Sequence, residues 1–369
     1  ELQDIFVVQD EIANAIVQSL QIQLATGDAA TALPAAIPPT RDTQAYTDYL
    51  EGRALWRQRG ATEIRRSIDL FQSAIGRDPG FARAHSNLAA AYVLLPGYAG
   101  VAREEAYALA SEAAMQAITI DPNLAEAYAV LAQVSAGEWD WKVAEANFFF
   151  ATSLDASEPI SHYWYSQHLA RVGRGADALE EALIATDLDP GSAVMQAGLA
   201  QILDQTGDRA GAIAAAERAA ALGFADGAEL LIAEFHLRGG EYAQAYEVLK
   251  AAPRIHPDML YEFEATALAA QHREAPAAAL EPAQISPELG GHAMIRAGVS
   301  DLDAALLVAR TLAEQRMLPL EGMWGEGARE LREHPQFVEL LRETGLMDYW
   351  RRYGWPDACG QEVQAALCW

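Results

Sequence analysis

The sequence has few cationic side chains and no long apolar run. Lysine and arginine together number 26, against 52 aspartates and glutamates, which leaves a formal net charge of -26 at pH 7. Contacts to nucleic-acid phosphates require clustered lysine and arginine, so we predict no nucleic-acid partner for this segment. A transmembrane helix requires about 20 consecutive apolar residues, and the sequence contains no such run. We therefore predict no transmembrane segment in this chain.

Motifs of catalysis and of cofactor binding are also missing. We find no glycine-rich phosphate loop, no Gly-x-Ser-x-Gly elbow and no paired cysteine motif. His162 and His168 are six residues apart, so they do not share a helix face as a metal-binding pair with i, i+4 spacing does. His85 and His162 are interpreted as packing residues. The sequence thus predicts no enzyme activity, no cofactor and no metal site.

Cysteine is nearly absent, and the two that occur, Cys359 and Cys368, are close to the end of the sequence. A disulfide between them would close a short loop and would indicate an oxidising compartment. Two reduced thiols on a frayed chain end fit the same spacing equally well. The sequence also begins without an initiator methionine, and we expect it to be a piece of a longer chain or a processed product.

The sequence does contain a repeat of 34 residues. A small residue recurs at one position near the start of every second predicted helix, and alanine occupies the position seven residues later in all six units. The first set is Ser67, Ala110, Ala144, Ala178, Ala212 and Ala245, and the second is Ala74, Ala117, Ala151, Ala185, Ala219 and Ala252. Two helical turns separate the positions, so both lie on one face, where a methyl group lets neighbouring helices approach closely. This pattern predicts tetratricopeptide repeats in an all-α, right-handed α/α superhelix.

Proline marks the end of most units, because it cannot continue a helix. The prolines are Pro79, Pro122, Pro190 and Pro257. Ala156 takes this place in the third unit, and we expect a departure from regular geometry there. The spacing between the first two prolines exceeds one repeat by nine residues, and we assign the surplus, residues 94–102, to a loop between helices because it contains Pro96, Gly97 and Gly100.

Five segments are predicted along the chain. Residues 1–25 form an amphipathic helix that serves as a connector or a cap, and residues 26–42 form a linker. Residues 43–258 contain the six repeats, and residues 259–320 contain degenerate helical repeats. Residues 321–369 form a helical cap with an aromatic tail, which we expect to cover the last face of the stack, since a terminal repeat otherwise leaves its core side in water.

The concave face of such an array is lined by the first helix of each unit. Gln133, Gln167 and Gln201 recur there with the period of the repeat, and we predict that this ladder of donors and acceptors holds the backbone of an extended peptide. A solvated row of glutamines without a ligand is the alternative. The complete set of candidate groove residues is Tyr46, Tyr49, Arg53, Trp56, Arg57, Gln133, Tyr163, Gln167, Arg171, Gln201 and Glu234.

Several segments resemble a known family. They are the stretch DIFVVQDEIA at residues 4–13, the triplet Trp139, Asp140 and Trp141, and the triplet Trp355, Pro356 and Asp357. They are similar to the tetratricopeptide region of bacterial CadC-like winged-helix regulators and class III adenylate cyclases, in which an effector domain and a TolB-like domain come first. The resemblance covers nearly the whole chain and implies the sensory or assembly half of a signalling protein. A membrane-tethered regulator would hold the repeats in the periplasm, whereas a soluble cyclase would hold them in the cytoplasm. The resemblance does not decide between these two compartments.

Repeat pattern and resemblance together predict a non-catalytic scaffold that binds a protein or peptide in its concave groove. One alternative is a self-association module, in which another copy of the chain is the partner and regulates the upstream effector. Another is that the segment contributes to an active site together with a missing domain. The negative charge favours basic or neutral partners, although a solvated acidic surface explains it as well.

Overall fold

The computed structural model describes residues 39–239, 241–251, 302–314, 316, 318, 320–324 and 329–359. The predicted N-terminal helix, most of the predicted linker and part of the degenerate repeats lie outside these residues, as does Cys368. Cys359 is buried, and its pairing with Cys368 stays a prediction.

Twelve helices of the described chain form six helix-turn-helix pairs. The pairs are α1 (Thr43–Gln58) with α2 (Ala61–Arg77), α3 (Ala82–Ala99) with α4 (Arg103–Ile120), α5 (Ala125–Gly137) with α6 (Trp141–Leu154), α7 (Pro159–Arg171) with α8 (Gly175–Leu188), α9 (Ala193–Gln205) with α10 (Arg209–Ala221), and α11 (Ala225–Arg238) with α12 (Tyr242–Ala251). The described residues contain no strand. The predicted all-α, right-handed α/α superhelix is confirmed. None of the described helices combines the length and the apolar character needed to cross a bilayer.

The repeated small residues hold the helices together. Every member of the two predicted sets that the structure describes is at most 1% exposed, and only Ala252 lies outside the described residues. At these positions neighbouring helices therefore pack through alanine methyl groups and the Ser67 side chain. A larger side chain would force the helices apart and lower the free energy of unfolding by about 1–3 kcal/mol. This explains why the period is visible in the sequence.

The end of the third unit is regular, although it lacks the proline. Asp155 ends α6 with extended backbone at φ -142°, close to the φ of -132° at Asp121 one unit earlier. The Asp155 carboxylate accepts a hydrogen bond from the backbone N–H of Ser157 at 2.9 Å, and a ring nitrogen of His162 lies 3.1 Å from the carbonyl oxygen of Ala156. The expected departure at Ala156 is wrong, because these polar contacts shape the turn without a proline ring.

The insertion in the second unit lengthens helices rather than forming a long loop. Helix α3 has 18 residues where α5 has 13, and α4 has 18 where α6 has 14. These differences account for the nine additional residues, and only residues 100–102 connect α3 to α4. Pro96 lies inside α3. The predicted loop over residues 94–102 is thus largely wrong.

Beyond the pairs, the described chain forms a C-terminal layer, which we define as residues 302–359 as far as they are described. It contains α13 (Leu302–Glu314), a 3-10 turn (Leu320–Met323), α14 (Arg329–Arg332), α15 (Pro335–Glu343), α16 (Leu346–Tyr353) and a second 3-10 turn (Asp357–Cys359). Its apolar side chains form a core of their own, to which the array contributes Trp141 and Val172.

The C-terminal layer packs on the turns of the third and fourth pairs. The indole N–H of Trp141 donates to the carbonyl oxygen of Thr344 at 2.7 Å, and the indole N–H of Trp350 donates to the carbonyl oxygen of Val172 at 2.8 Å. This position corrects the expected one at the last face of the stack. The layer packs on the turns because they carry large apolar side chains that need to be buried. Trp141 is one of them, and it is only 2% exposed in the folded chain.

A buried carboxylate joins the layer to the array. Glu145 of α6 accepts hydrogen bonds from the hydroxyls of Tyr165 and Tyr349, each at 2.8 Å, and from Arg174 Nη1 at 2.7 Å. His168 Nε2 lies 3.2 Å away. Burial alone would raise the pKa of Glu145, but the hydrogen bonds and charges of His168 and Arg174, with the Tyr165 hydrogen bond, lower it to about 2. Glu145 is therefore ionised at neutral pH.

Candidate functional site

Two helices that are not neighbours in the stack meet across its concave face. The rings of Trp56 on α1 and Trp164 on α7 have centroids 6.5 Å apart in an edge-on arrangement. Arg57 Nη2 lies 2.7 Å from Asp189 Oδ2, just after α8. The first pair therefore touches the fourth, with two pairs between them along the stack. Such a contact has to cross the inside of the superhelix.

A pocket opens beside this contact, and we call it the cross-groove crevice. Its lining residues come from the end of α1, from α7 and from the start of α9. They are Trp56, Arg57, Arg59, Ile160, Tyr163, Asp189, Ser192, Val194 and Met195. The structure thus brings together three of the predicted groove residues, Trp56, Arg57 and Tyr163.

A glycine lies behind Tyr163, one of the lining residues of the crevice. Gly198 of α9 stands 34 residues after Trp164, at the equivalent position of the next unit. A Cβ at Gly198 would lie 2.7 Å from the ring of Tyr163 and 2.9 Å from Gln167 Nε2. The missing side chain lets both residues lie directly against α9. Sequence reasoning missed Gly198, although a glycine in place of a tryptophan was the available signal.

The crevice region contains buried donors without acceptors. Trp56 Nε1, Gln167 Nε2, and Nε and Nη1 of Arg59 are buried and have no hydrogen-bond partner among the described residues. More than about 90% of buried polar groups in proteins are paired, and an unpaired one costs about 1–3 kcal/mol. All four atoms are donors. Among the described residues, none of these four donors therefore has an acceptor within hydrogen-bond distance.

Arg59 was not among the predicted residues, and it has an unusual environment. It ends α1 with a φ of 53°, in the left-handed region that is rare for residues other than glycine. Its guanidinium lies 3.9 Å from the ring centroid of Trp56, within cation–π range. Burial lowers the pKa of Arg59, opposed in part by the electrostatic influence of Tyr163 and Tyr98. The side chain is nevertheless a cation at neutral pH.

A second polar group lies between α1, α3, α5 and the start of α7. Asn87 Nδ2 donates to Glu126 Oε2 at 2.6 Å, and Glu158 accepts a hydrogen bond from the backbone N–H of Ser161, also at 2.6 Å. Burial, and then the charge of Glu158, raises the pKa of Glu126 to about 7, against the opposite effect of Arg53. Arg53, a predicted groove residue, is therefore part of a compensated cluster of charges.

Two other predicted residues belong to the core of the first pair. Tyr49 is 4% exposed, and its ring centroid lies 4.8 Å from that of Phe81. Tyr46 stacks on Tyr49 at 6.2 Å. Tyr49 is thus removed from the candidate groove, because burial leaves it no surface to offer a ligand.

The remaining predicted residues lie away from the crevice. The Arg171 carbonyl oxygen accepts a hydrogen bond from Trp324 of the C-terminal layer at 2.9 Å. Gln201 is exposed, and Gln133 and Glu234 are half-buried. A continuous glutamine ladder therefore stays a prediction. No group of three or more potential metal ligands occurs within the described parts of the chain.

Comparison with known proteins supports the architecture. No protein-family model and no curated protein matches the sequence. A monomeric mutant of IFIT1 with Gppp-AAAA matches with a TM-score of 0.52 at 16% identity, covering 78% of this chain and 71% of that one. A further monomeric IFIT1 mutant with m7Gppp-AAAA matches with a TM-score of 0.51 at 16% identity, covering 86% and 76%.

A thermophilic TPR protein from Thermus thermophilus also matches, with a TM-score of 0.41 at 16% identity, covering 55% of this chain and 98% of that one. The paired helices and the buried small residues that recur in every pair make the array a tetratricopeptide-repeat solenoid. Identities this low show a shared fold alone, and the ligands of these proteins say nothing about the ligand of this tetratricopeptide array.

Proposed function

We propose that this tetratricopeptide array is a non-catalytic scaffold that binds an extended segment of a partner protein in its concave face. The observation that supports it is the pair of buried donors, Trp56 Nε1 and Gln167 Nε2, for which the described residues supply no acceptor. An extended peptide presents a backbone carbonyl at every residue, so it can supply an acceptor to each donor. Pairing them would remove a cost of about 1–3 kcal/mol per donor that the free scaffold carries.

The partner in this proposal is a protein rather than a nucleic acid. Although the two IFIT1 structures carry capped oligonucleotides, this chain has twice as many acidic as basic residues, 52 against 26. Contacts to a phosphate backbone require clustered positive charge. A protein segment meets no such electrostatic penalty.

We further propose that the array is the sensory or assembly half of a bacterial signalling protein whose effector domain comes earlier in the chain. The support is the sequence resemblance to CadC-like regulators and class III adenylate cyclases. The proposed organisation has an amphipathic helix at residues 1–25 as a connector or a cap, a linker at 26–42, repeats at 43–258, degenerate repeats at 259–320 and a C-terminal helical cap with an aromatic tail at 321–369.

A peptide array tests the scaffold function. Immobilised 12-residue peptides of defined sequence supply the probe, and fluorescence anisotropy then measures the affinity of the bound sequences. We expect Gln167→Ala to weaken binding about tenfold, the equivalent of about 1.4 kcal/mol. Gln116→Ala is the matched control, because Gln116 is exposed on α4, the second helix of its unit, and its affinity should change less than about twofold. Unchanged affinity in Gln167→Ala would contradict the proposal.

A row of exposed apolar side chains favours self-association as a second function. Met115, Phe149 and Leu183 occupy the same position in three successive units and are 54%, 65% and 46% exposed. Gln72 and Glu217 occupy this position in the adjoining units, so the apolar row is limited to α4, α6 and α8. Contiguous exposed apolar surface of this kind marks interaction sites.

Light scattering over a dilution series tests this second function. A dimer that forms through the row should dissociate at lower protein concentration, and Phe149→Glu should keep the chain monomeric. Leu222→Glu is the matched control, because Leu222 is 43% exposed but lies outside the row. A chain that is monomeric at every concentration, or a dimer that Phe149→Glu leaves intact, would exclude self-association through this row.

A further inference from the structure

We propose that a row of exposed apolar side chains on the second helices of three successive pairs is a docking surface for a cationic amphipathic helix of a partner protein. The row consists of Met115 on α4, Phe149 on α6 and Leu183 on α8. The inference goes beyond binding in the concave face, because no member of the row lies on a first helix. It also gives the row an occupant of opposite charge to a second copy of the chain.

The row offers apolar surface that the described chain leaves uncovered. Phe149 is 65% exposed, and Phe150 beside it is 46% exposed although its ring packs edge-on against that of Tyr128, with centroids 4.8 Å apart. Met115 and Leu183 are also about half exposed. Single exposed apolar side chains are ordinary in proteins. One at the same position of three adjoining units forms a surface that a ligand can cover.

Three carboxylates border the row. Each lies three or four residues from a row member on its own helix, a spacing that places both on one helix face. They are Glu112 on α4, and Glu180 and Asp187 on α8. All three are exposed, and no ion pair within the described residues holds any of them. Glu217 takes the position of the row in the following unit and is exposed as well. The edge of the row is therefore anionic.

Cations are scarce on the same three helices. Arg103 and Lys142 are the basic residues of α4 and α6, each in the first turn, and α8 contains none. Arg103 Nη1 donates to the carbonyl oxygens of Gly137 and Arg316, at 3.2 Å and 2.7 Å, so its charge is held at the C-terminal layer. The exposed carboxylates of the three helices are Glu104, Glu105, Glu112, Asp177, Glu180 and Asp187. The surface around the row is thus strongly negative.

This charge pattern favours a basic partner over a second copy. A second copy carries the same carboxylates, and like charges brought together across an interface are unfavourable. An amphipathic helix with lysine or arginine along the edges of its apolar face covers the row and meets opposite charge. A helix rises about 1.5 Å per residue and packed helices lie about 8–10 Å apart, so about 14–18 residues span the three helices.

A designed peptide tests this surface without knowledge of the natural partner. The probe is a fluorescein-labelled peptide of about 18 leucines and lysines, with the leucines on one helical face. A peptide of the same composition in scrambled order has no apolar face. It is the control for unspecific attraction to a chain with a net charge of -26. Fluorescence anisotropy measures both affinities.

We expect the amphipathic peptide to bind with a Kd of about 1–10 µM, and the scrambled peptide to bind at least about tenfold more weakly. Phe149→Ala should weaken the amphipathic peptide at least about fivefold. Leu222→Ala is the matched control, because Leu222 is 43% exposed but lies outside the row, and it should change the affinity less than about twofold. Equal binding of the scrambled peptide, an unchanged affinity in Phe149→Ala, or no saturable binding below about 100 µM would overturn the proposal.

Substitution of the bordering carboxylates tests the charge argument. The triple variant Glu112→Gln, Glu180→Gln and Asp187→Asn should weaken the peptide at least about fivefold at low salt. A control triple variant removes the same number of exposed carboxylates from α1 and the C-terminal layer and should change the affinity less than about twofold. Its substitutions are Glu51→Gln, Glu314→Gln and Glu343→Gln. An equal loss in both variants would mean that overall charge, rather than the row, attracts the peptide.

Salt and a groove variant separate this proposal from the other functions. Screening weakens both attraction and repulsion, so raising NaCl from about 50 to 300 mM should weaken the peptide at least about threefold, whereas a dimer formed through the row should tighten. A row that holds a second copy but not the peptide would overturn this inference and support self-association. Gln167→Ala should leave the peptide affinity unchanged. A loss in that variant would move the peptide to the concave face and overturn the docking surface, while failure of the peptide to bind at all leaves the groove function standing.

Discussion

The hydrogen bond from Tyr349 to Glu145 predicts how strongly the C-terminal layer is held to the array. The two oxygen atoms are 2.8 Å apart, and the residues are 0% and 5% exposed. Hydrogen bonds to charged groups contribute about 1.5–3 kcal/mol. Tyr349→Phe removes the donor and leaves the ring, so we expect the free energy of unfolding of the layer to fall by about 2 kcal/mol at pH 7.

The loss should depend on pH in a defined direction. The pKa of Glu145 is lowered from 4.5 to about 2 in the folded chain, so its stabilisation is fully present above pH 4.5 and disappears as the pH falls towards 2. A shift of this size corresponds to about 3–4 kcal/mol. Because Tyr349 donates to this carboxylate at 2.8 Å, and such a hydrogen bond favours the ionised form, the difference between the variant and the wild type should shrink as the pH falls from 4.5 towards 2.

Urea unfolding followed by tryptophan fluorescence measures this loss, since the layer contains Trp324 and Trp350. Tyr353→Phe is the matched control. Its ring lies 5.0 Å from that of Tyr349, but Glu145 does not bind its hydroxyl, and we expect a change within about 0.5 kcal/mol. An unchanged midpoint for Tyr349→Phe at pH 7, or a loss that grows on acidification, would refute the role assigned to Glu145.

Three further predictions concern other parts of the chain. Gly198→Ala should destabilise the array by about 1–3 kcal/mol in urea, because its Cβ would lie 2.7 Å from the Tyr163 ring. Trp141→Phe removes the 2.7 Å hydrogen bond to Thr344, so limited proteolysis should release the C-terminal layer before it cuts the repeats. Glu126 has a pKa raised to about 7, so its protonation stabilises the folded chain below pH 4.5. This contribution to the free energy of unfolding is lost as the pH rises from 4.5 through 7. Glu126→Gln should therefore flatten the dependence of the urea midpoint on pH in that range.

The repeat architecture was predictable because each unit packs mainly on its neighbours. Contacts of this kind recur with the period of the sequence, and the alanines at 34-residue spacing are buried as expected. Local signals were less reliable. Pro96 and Gly97 favour a loop by propensity, yet α3 continues to Ala99. Leu95 beside them is 6% exposed, and such tertiary packing overrides propensity.

The crevice was only partly predictable, because it depends on contacts that the period does not encode. Arg57 and Asp189 are 132 residues apart, and whether they meet depends on the curvature accumulated over several pairs. A small error in the assumed rotation of each unit would separate them. The helical pattern likewise identifies the face on which Tyr49 lies but not how deeply it is buried. The position of the C-terminal layer on the turns depends on the same long-range geometry.

The crevice occurs where the repeats differ from one another. Positions at which all units agree, such as the buried alanines, serve packing, and a change there disturbs every neighbouring helix. At the position of Trp164 the next unit has Gly198, and this one difference makes room for Tyr163 and Gln167. Arg59 likewise has a left-handed backbone that regular helices avoid. Since natural sequences depart from local regularity mainly at functional or strained sites, the differences between units are the residues to substitute first.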